Sequence, residues 1–559
     1  MTPLTRFAPG LAMLRGYRRE WLKADLAAGL SVAAVAVPVA IAYAQLAGFP
    51  PVVGLYASIL PLVVYAIFGT SRQLIVNPDA ATCAMVAAIV APLAAGDAAL
   101  YTSLAISLAA LMGVACIIAG FLRLGFLADF LGKPVLVGFM NGIAISIVLG
   151  QLGKVFGFAI ESGRILPRLI EFAGKLPLTH WPTLAVGVTT FAIMRGVRRV
   201  FPKLPAPLIA VAIAMAVVQA FALDAAGVAV LGAIPAGLPS IGWNPVPAAL
   251  VGPLVTGAAG LALVSFTSGM VTARSFAARN HYEIDVDREF VALGACNVAA
   301  SLSQGFAVTG ADSRTAVSDV MGGKTQVTGL VAAATIAAVL LFLTGPLRYL
   351  PQSALGAVLI SAGIGLFDWR ALVRFYRIQE GEFLVCTAAM LGVVALGALE
   401  GIGLSVALAM LVLLIRSSRP ADAVLGRAPG LPGFRDLADD EDATAIPGVV
   451  IYRFTASLIF YNAAYFKRRV LGVTAASPAA SWLVVDAAAI PHLDSTGADT
   501  LVALANDLSA RGVTLAIGGA VPQVRRMLER SGALDRLGAG AVFPSLKSAV
   551  AACESRASS

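Results

Sequence analysis

Long apolar stretches separated by short polar ones make up most of the first 415 residues. A hydrocarbon core ~30 Å thick needs roughly 20 apolar residues per helical crossing. The longest charge-free stretches reach that length: 26–71, 98–122, 204–223, 225–273 and 325–347. Cutting the apolar stretches at loops, prolines and charges predicts about 14 membrane segments. Their predicted spans are 26–47, 52–69, 78–94, 98–122, 134–151, 180–196, 206–223, 251–273, 287–303, 312–321, 325–346, 352–367, 383–399 and 401–415.

The pattern changes after Arg416, where Arg, Pro, Asp and Gly replace the apolar stretches. We predict a transmembrane domain over 26–415, a linker over 416–445 and a small soluble α/β domain over 446–559. The candidate strands of this domain are 449–454, 482–486 and 514–517. Its candidate helices are 463–470, 498–510 and 522–531.

Composition and charge agree with a membrane protein. Hydrophobic residues make up 59% of the 559 residues and charged ones only 13%, a balance that excludes an ordinary water-soluble globule. The net charge is +9, but Lys and Arg cluster in every second loop, as the positive-inside rule requires, so we do not expect a nucleic-acid partner. The basic stretch 1–25 is then cytoplasmic, and an even number of crossings makes the C-terminus cytoplasmic too. The basic loop 151–179 is the exception, because the segment count places it outside.

Cysteines and histidines are scattered along the sequence. The five cysteines show no CxxC spacing and have no histidine cluster beside them, which argues against a disulfide framework, a metal site and any other cofactor. A nucleophile paired with a base and a phosphate-binding Gly-Lys loop are also missing from the sequence, so we do not expect an enzyme.

Two predicted segments are short, are interrupted by Pro or Gly, and occupy the third position of each set of seven. Residues 70–82 lead through Pro78 into one, and residues 304–317 lead through Gly310 into the other. Matching interrupted helices in two halves are typical of inverted-repeat transporters, whose substrate lies at the midplane. Two helix N-termini facing one gap would bind an anion. Supporting side chains would be Thr82, Ser313, Arg314 and Thr315. The alternative is that Pro78 and Gly310 only kink two packed helices.

Four stretches resemble the SulP family of anion transporters, which includes the solute carrier 26 proteins. They are the two stretches above, residues 48–58, and Phe68-Gly69-Thr70-Ser71-Arg72. In the soluble part, Leu493-Asp494-Ser495-Thr496-Gly497 resembles the Asp-Ser-x-Gly loop of the STAS domain. The resemblance covers nearly the whole chain and suggests a multi-pass protein of the bacterial inner membrane.

The resemblance implies a polytopic α-helical fold of seven plus seven inverted segments, followed by a STAS domain. It divides the membrane part into a core domain (segments 1–4 and 8–11) and a gate domain (segments 5–7 and 12–14), with elevator-like motion and a homodimer in the bilayer. By position, it places the substrate site at Val39, Tyr43, Asp79, Ala80, Ser268, Ala311, Ser313 and Arg314.

The chain departs from this family at two positions. Asn77 replaces the usual glycine before the proline of segment 3, and Ser268 replaces an acid that many relatives use for proton or sodium coupling. Asp79 and Asp312 are then the acids nearest the site. Protonation of either would allow proton symport, and the alternative is that both only cap their helices.

Secondary active transport of an oxyanion or carboxylate is the leading hypothesis, with sulfate as the first expectation. An uncoupled channel, or an exchanger for bicarbonate, chloride or dicarboxylate, is the first alternative. A sensor that signals through the STAS domain is the second. Ser495, where anti-sigma-factor antagonists are phosphorylated, is the regulatory candidate. The alternative is that Asp494 and Ser495 only cap the helix that follows.

Overall fold

The protein is described by a computed structural model that covers residues 8–125, 132–162, 165–201, 204–242, 246–430, 433–538 and 540–557. Parts of each of the four predicted domain ranges lie outside these residues, including residues 1–7 of the N-terminal segment. The chain divides into two compact units, one ending at Ala409 and one beginning at Met410.

Nearly all of the first unit is helical. Its helices, in chain order, are α1 (Pro9–Arg15), α2 (Leu22–Leu46), α3 (Pro51–Phe68), α4 (Ala80–Ala94), α5 (Ala98–Phe121), α6 (Lys133–Phe156), α7 (Ile165–Lys175), α8 (Trp181–Val200), α9 (Ala206–Ala220), α10 (Ala248–Arg279), α11 (Val286–Leu302), α12 (Asp312–Val320), α13 (Val327–Phe342), α14 (Thr344–Leu347), α15 (Gln352–Leu366), α16 (Trp369–Ile378), α17 (Glu380–Leu396) and α18 (Ala398–Ser418), the last of which runs into the second unit.

Each of the 14 predicted membrane segments coincides with one of these helices. By length and composition alone, six helical stretches of the described chain could cross a membrane, and α4, α9 and α13 are shorter apolar helices. The predicted short segments are α4, with 15 residues, and α12, with 9. At 1.5 Å per residue these helices are about 22 and 14 Å long, so neither crosses a ~30 Å hydrocarbon core by itself.

The membrane helices form two packed groups, as the fold class predicts. In the core domain, α2 to α5 pack against α10 to α13, with close contacts between α5 and α11 and between α2 and α13. The gate domain contains α6, α8, α9, α15, α17 and α18, and α6 packs against both α15 and α17. Glycine permits the closest approaches: a Cβ on Gly138 of α6 would lie 2.1 Å from the Cys386 carbonyl oxygen of α17.

The second unit is built on a six-stranded mixed sheet in the order β4-β3-β5-β6-β7-β8. Its strands are β3 (Asp422–Gly426), β4 (Arg435–Asp436), β5 (Val449–Phe454), β6 (Trp482–Asp486), β7 (Thr514–Gly518) and β8 (Val542–Phe543), and its further helices are α19 (Ala463–Ala475), α20 (Ser495–Ser509), α21 (Pro522–Arg530), α22 (Ala533–Leu537) and α23 (Leu546–Ala557). Alternate residues of β5 face different cores: Tyr452 and Phe454 pack with α19 and α20, and Ile451 packs with α23.

The stretch 416–445, predicted as a linker, is partly ordered into this sheet. β3 pairs antiparallel with both β4 and β5, and Asp422 accepts hydrogen bonds from Tyr452 and Arg469. Burial in this contact raises the pKa of Tyr452, and the Asp422 carboxylate raises that of Arg469. The stretch predicted as a linker therefore contains β3 and β4, whose pairing depends on partners distant in sequence.

Candidate functional site

Two short strands hold the half-helices α4 and α12 in place. β1 (Val76–Asn77) pairs antiparallel with β2 (Thr309–Gly310), and each strand leads directly into its half-helix. Two further hydrogen bonds fasten the second half-helix to the first approach strand: the Ala311 N–H donates to the Ile75 carbonyl at 2.9 Å, and the Ile75 N–H donates to the Thr315 hydroxyl at 3.0 Å. The N-termini of α4 and α12 are therefore brought together.

Arg314 lies in the first turn of α12 and is 1% exposed. Its Nη2 donates to the Pro78 carbonyl at the start of the other half-helix, and its guanidinium carbon is 5.5 Å from the centroid of the Tyr43 ring. Nε and Nη1 have no hydrogen-bond partner among the described residues. A buried guanidinium with free donors is costly unless a negative charge meets it, so this geometry favours an anion.

The apolar and aromatic residues predicted for the site are buried, and Tyr43 among them contacts this guanidinium. Tyr43 is 4% exposed, Val39 lies one turn earlier on α2, and Ala80 and Ala311 stand at the two half-helix N-termini. Burial of these side chains lowers the local dielectric, which strengthens the attraction between an anion and Arg314.

The two candidate coupling acids occupy different environments. Asp79 is the N-cap of α4 and accepts a hydrogen bond from the Ala81 N–H at 3.2 Å. The N-cap of α12 is Ala311, which provides no side-chain bond. Asp312 instead accepts a hydrogen bond from the Thr272 hydroxyl of α10. The capping alternative therefore holds for Asp79 and is wrong for Asp312, because its carboxylate finds a tertiary donor.

The predicted hydroxyl residues divide into buried and accessible ones. Thr82 shares a 3.0 Å hydrogen bond with Ser265 of α10, and Thr315 accepts the bond from Ile75 described above, so both position the half-helices. Ser313 is exposed at the N-terminus of α12. Ser268 lies on α10, and its carbonyl oxygen is 3.2 Å from the same Thr272 hydroxyl, as an alternative acceptor for its one proton.

A cavity of about 710 Å³ separates core-domain helices from gate-domain helices. Its core wall includes Ser268, Thr272 and Asp312, and its gate wall includes Asn141 and Asp368. Arg314 is not among the lining residues. Asp312 and Ser268 therefore face the cavity, whereas the guanidinium is buried.

Sequence reasoning missed two features of the site. The first is Thr272, which follows Ser268 by four residues. This spacing places both residues on one face of a helix, so the sequence contained a signal for it. Gly269 permits the close approach of α10 to β2, because a Cβ there would lie 3.1 Å from the Thr309 hydroxyl.

Two further kinds of site concern metal binding and the second unit. Among the described residues, no group of His, Cys, Asp and Glu could hold a metal ion. In the second unit, Ser495 is exposed at the first position of α20, and Asp494 caps this helix through a 2.7 Å bond from the Gly497 N–H. The capping role therefore belongs to Asp494, and the Ser495 hydroxyl remains accessible.

Comparisons with known proteins agree with these observations. Residues 22–389 match the model of the sulfate permease family, and residues 441–549 match the STAS domain. A protein of Mycobacterium tuberculosis (strain CDC 1551 / Oshkosh) named probable sulfate transporter is 41% identical over 98% of both chains. Sulfate transporter 4.1, chloroplastic, of Arabidopsis thaliana is 31% identical over 98% of this chain and 82% of its own length.

Solved structures with a similar fold include a member of solute carrier family 26. The murine family member A9 anion transporter, in the inward-facing state, has a TM-score of 0.90 at 24% identity, over 98% of this chain and 94% of its own. The transmembrane domain of the cyanobacterial bicarbonate transporter BicA has a TM-score of 0.63 at 24% identity, over 69% of this chain and 98% of its own. At this identity the likeness concerns the fold.

Proposed function

The chain belongs to the sulfate permease family, and we propose that it is a secondary active transporter of sulfate. It is a multi-pass membrane protein that transports anions and is not an enzyme. Sulfate is the proposed substrate because the relative from Mycobacterium tuberculosis is named a probable sulfate transporter. That relative is bacterial, which supports a place in the bacterial inner membrane.

The observation that carries this proposal is the buried guanidinium of Arg314 with two unused donor nitrogens. Nε and Nη1 are the donors left for an anion, and charge-assisted hydrogen bonds of this kind are among the strong ones in proteins. The N-terminal N–H groups of α12 and the Ser313 hydroxyl are further donors at the start of this helix.

Alternating access by an elevator-like motion is supported by what lies at the two ends of the core–gate boundary. The cavity begins at Lys133, the first residue of α6. Farther along α6, Lys154 donates a 3.1 Å hydrogen bond to Gln45 of the core domain. The two lysines are 21 residues apart (154 − 133), or about 32 Å along a helix. The boundary is open at the cavity near Lys133 and is closed near Lys154 by the hydrogen bond to Gln45.

The charge pattern assigns a side to the open end. Lys133 and Arg274 line the cavity. These two residues and the arginines of α16 lie in stretches that the positive-inside rule predicts to be cytoplasmic. We therefore propose an inward-open state with cytoplasmic N- and C-termini. We further propose a homodimer, which a measurement of mass in lipid nanodiscs would test.

Proton coupling through Asp312 fits the geometry better than coupling through Asp79. Asp312 is exposed to the cavity, whereas the Asp79 carboxylate is occupied as a helix cap. Through Thr272, Asp312 is also tied to α10 one turn beyond Ser268, where relatives carry the coupling acid. An ionised Asp312 repels an incoming dianion and a protonated one does not, so substrate and proton would bind together.

Uptake of labelled sulfate into proteoliposomes tests this mechanism. Asp312→Asn should keep downhill sulfate flux but lose its acceleration by an inward proton gradient, because the side chain is permanently neutral. Asp79→Asn should keep the acceleration, since an amide oxygen can still cap α4.

Three outcomes would contradict parts of the proposal. An unchanged gradient dependence in Asp312→Asn would remove the coupling role. Failure of the wild type to accumulate sulfate uphill would favour a channel or an exchanger. A signalling effect that survives loss of all flux and depends on the exposed Ser495 would favour the sensor.

A further inference from the structure

The short helix α16 connects two apolar helices, α15 and α17, and has an uneven distribution of side chains. Arg370, Arg374 and Arg377 are spaced by four and three residues, so they form one stripe along the helix. All three are exposed, and none of them makes an ion pair or a hydrogen bond within the described part of the chain. Three cationic groups on one face have no protein partner there.

Aromatic residues flank this stripe. Trp369 is 63% exposed and Tyr376 is 65% exposed. On a helix of ten residues between two membrane segments, exposed Trp and Tyr are typical of the membrane–water interface. Basic residues beside them are typical of amphipathic helices that lie on anionic lipid.

The remaining face of α16 is fixed to the protein. Leu372 and Phe375 are buried with Val137 of α6 and Phe383 of α17. Val137 lines the cavity between core and gate, so this residue contacts α16 and also faces the cavity.

The start of α16 is also joined to the cavity wall. Asp368 caps the helix by accepting from the Ala371 N–H at 2.9 Å. Its own N–H donates to Asn141 of α6 at 2.7 Å, and both Asp368 and Asn141 line the cavity.

We propose that the arginine face of α16, comprising Arg370, Arg374 and Arg377 with Trp369 and Tyr376, binds the headgroups of anionic phospholipids. The phosphate and the glycerol group of phosphatidylglycerol match a row of guanidinium donors flanked by interfacial rings. α16 packs on α6, and its N-cap residue Asp368 lines the cavity. Headgroup binding therefore holds the gate domain at the membrane surface while the core domain moves.

A binding assay independent of transport tests this surface. Full-length protein in an uncharged detergent is titrated with a fluorescent short-chain phosphatidylglycerol and, separately, with the matching phosphatidylcholine. The wild type should bind the phosphatidylglycerol more tightly. The triple variant R370Q/R374Q/R377Q should lose this preference, by about fivefold per arginine and on the order of 100-fold in all.

Two matched variants separate charge from folding and from non-specific attraction. The triple lysine variant R370K/R374K/R377K should keep most of the preference, since it keeps the charge. The control R525Q/R526Q/R530Q removes three exposed arginines from α21 in the soluble unit and should bind as the wild type does.

A triple glutamine variant that retains the wild-type preference for phosphatidylglycerol would overturn the proposal. So would competition by sulfate that chloride at the same ionic strength does not reproduce, because the face would then bind soluble oxyanions. Loss of the preference in the α21 control would mean that net charge alone explains binding, and would overturn it too.

Discussion

The role of Arg314 gives the most direct test of the anion site. Arg314→Met keeps a long buried side chain but removes the charge, the donors Nε and Nη1, and the bond to the Pro78 carbonyl. Removing one partner of a buried charged hydrogen-bonded pair costs about 2 to 5 kcal/mol. The apparent affinity for sulfate should therefore fall by at least ~30-fold. Arg314→Lys keeps the charge without the planar donor set. Its apparent affinity for sulfate should therefore lie between those of the wild type and Arg314→Met.

The assay is initial-rate uptake of labelled sulfate into proteoliposomes over a range of sulfate concentrations, with protein amount and orientation matched. Arg348→Met serves as the control, because Arg348 is exposed and contacts the neighbouring Tyr349 outside the site. An Arg314→Met protein that elutes as the wild type does and keeps its KM would refute the reasoning and remove Arg314 from the substrate site.

Three further predictions concern contacts away from the guanidinium. Lys154→Met removes the hydrogen bond between Lys154 of the gate and Gln45 of the core, and should raise the outward-open population up to about tenfold. Cysteine labelling from the side opposite the cavity would measure this population. Unchanged labelling would show that the hydrogen bond does not hold that side closed. Glu289→Gln replaces a buried carboxylate that accepts hydrogen bonds from the Tyr65 hydroxyl and from backbone N–H groups just before β1. It should destabilise the protein by about 1 to 3 kcal/mol, measured as a lower Tm. An unaltered Tm would contradict this prediction. Asp494→Ala removes the cap of α20 and should cost about 1 kcal/mol, seen as faster amide exchange in its first turn and at Phe460, whose N–H also donates to Asp494.

The sequence predicted those features that depend on local pattern. β5 and β6 match the predicted strands to the residue, because each is a short apolar run bounded by polar or turn-forming residues. The half-helices were predictable because Pro78 and Gly310 interrupt apolar segments at equivalent positions. The partner of Asp312 was not, because a carboxylate at a helix start can either cap that helix or bond elsewhere. Thr272 is 40 residues away in sequence, and its contact exists only once α10 packs beside α12.

The two half-helices are not equivalent as anion sites, although they are related by the repeat. The carboxylate of Asp79 already occupies an N–H of α4 and brings negative charge to its N-terminus. At α12, Ala311 provides no such group, Asp312 is drawn towards Thr272, and Arg314 adds a positive charge. At the proposed anion site, an anion between the two helices would therefore be attracted mainly by the second repeat, and the first repeat would contribute chiefly the Pro78 carbonyl that orients Arg314. This asymmetry would let one arginine, in one of the two repeats, dominate the electrostatics of the proposed site.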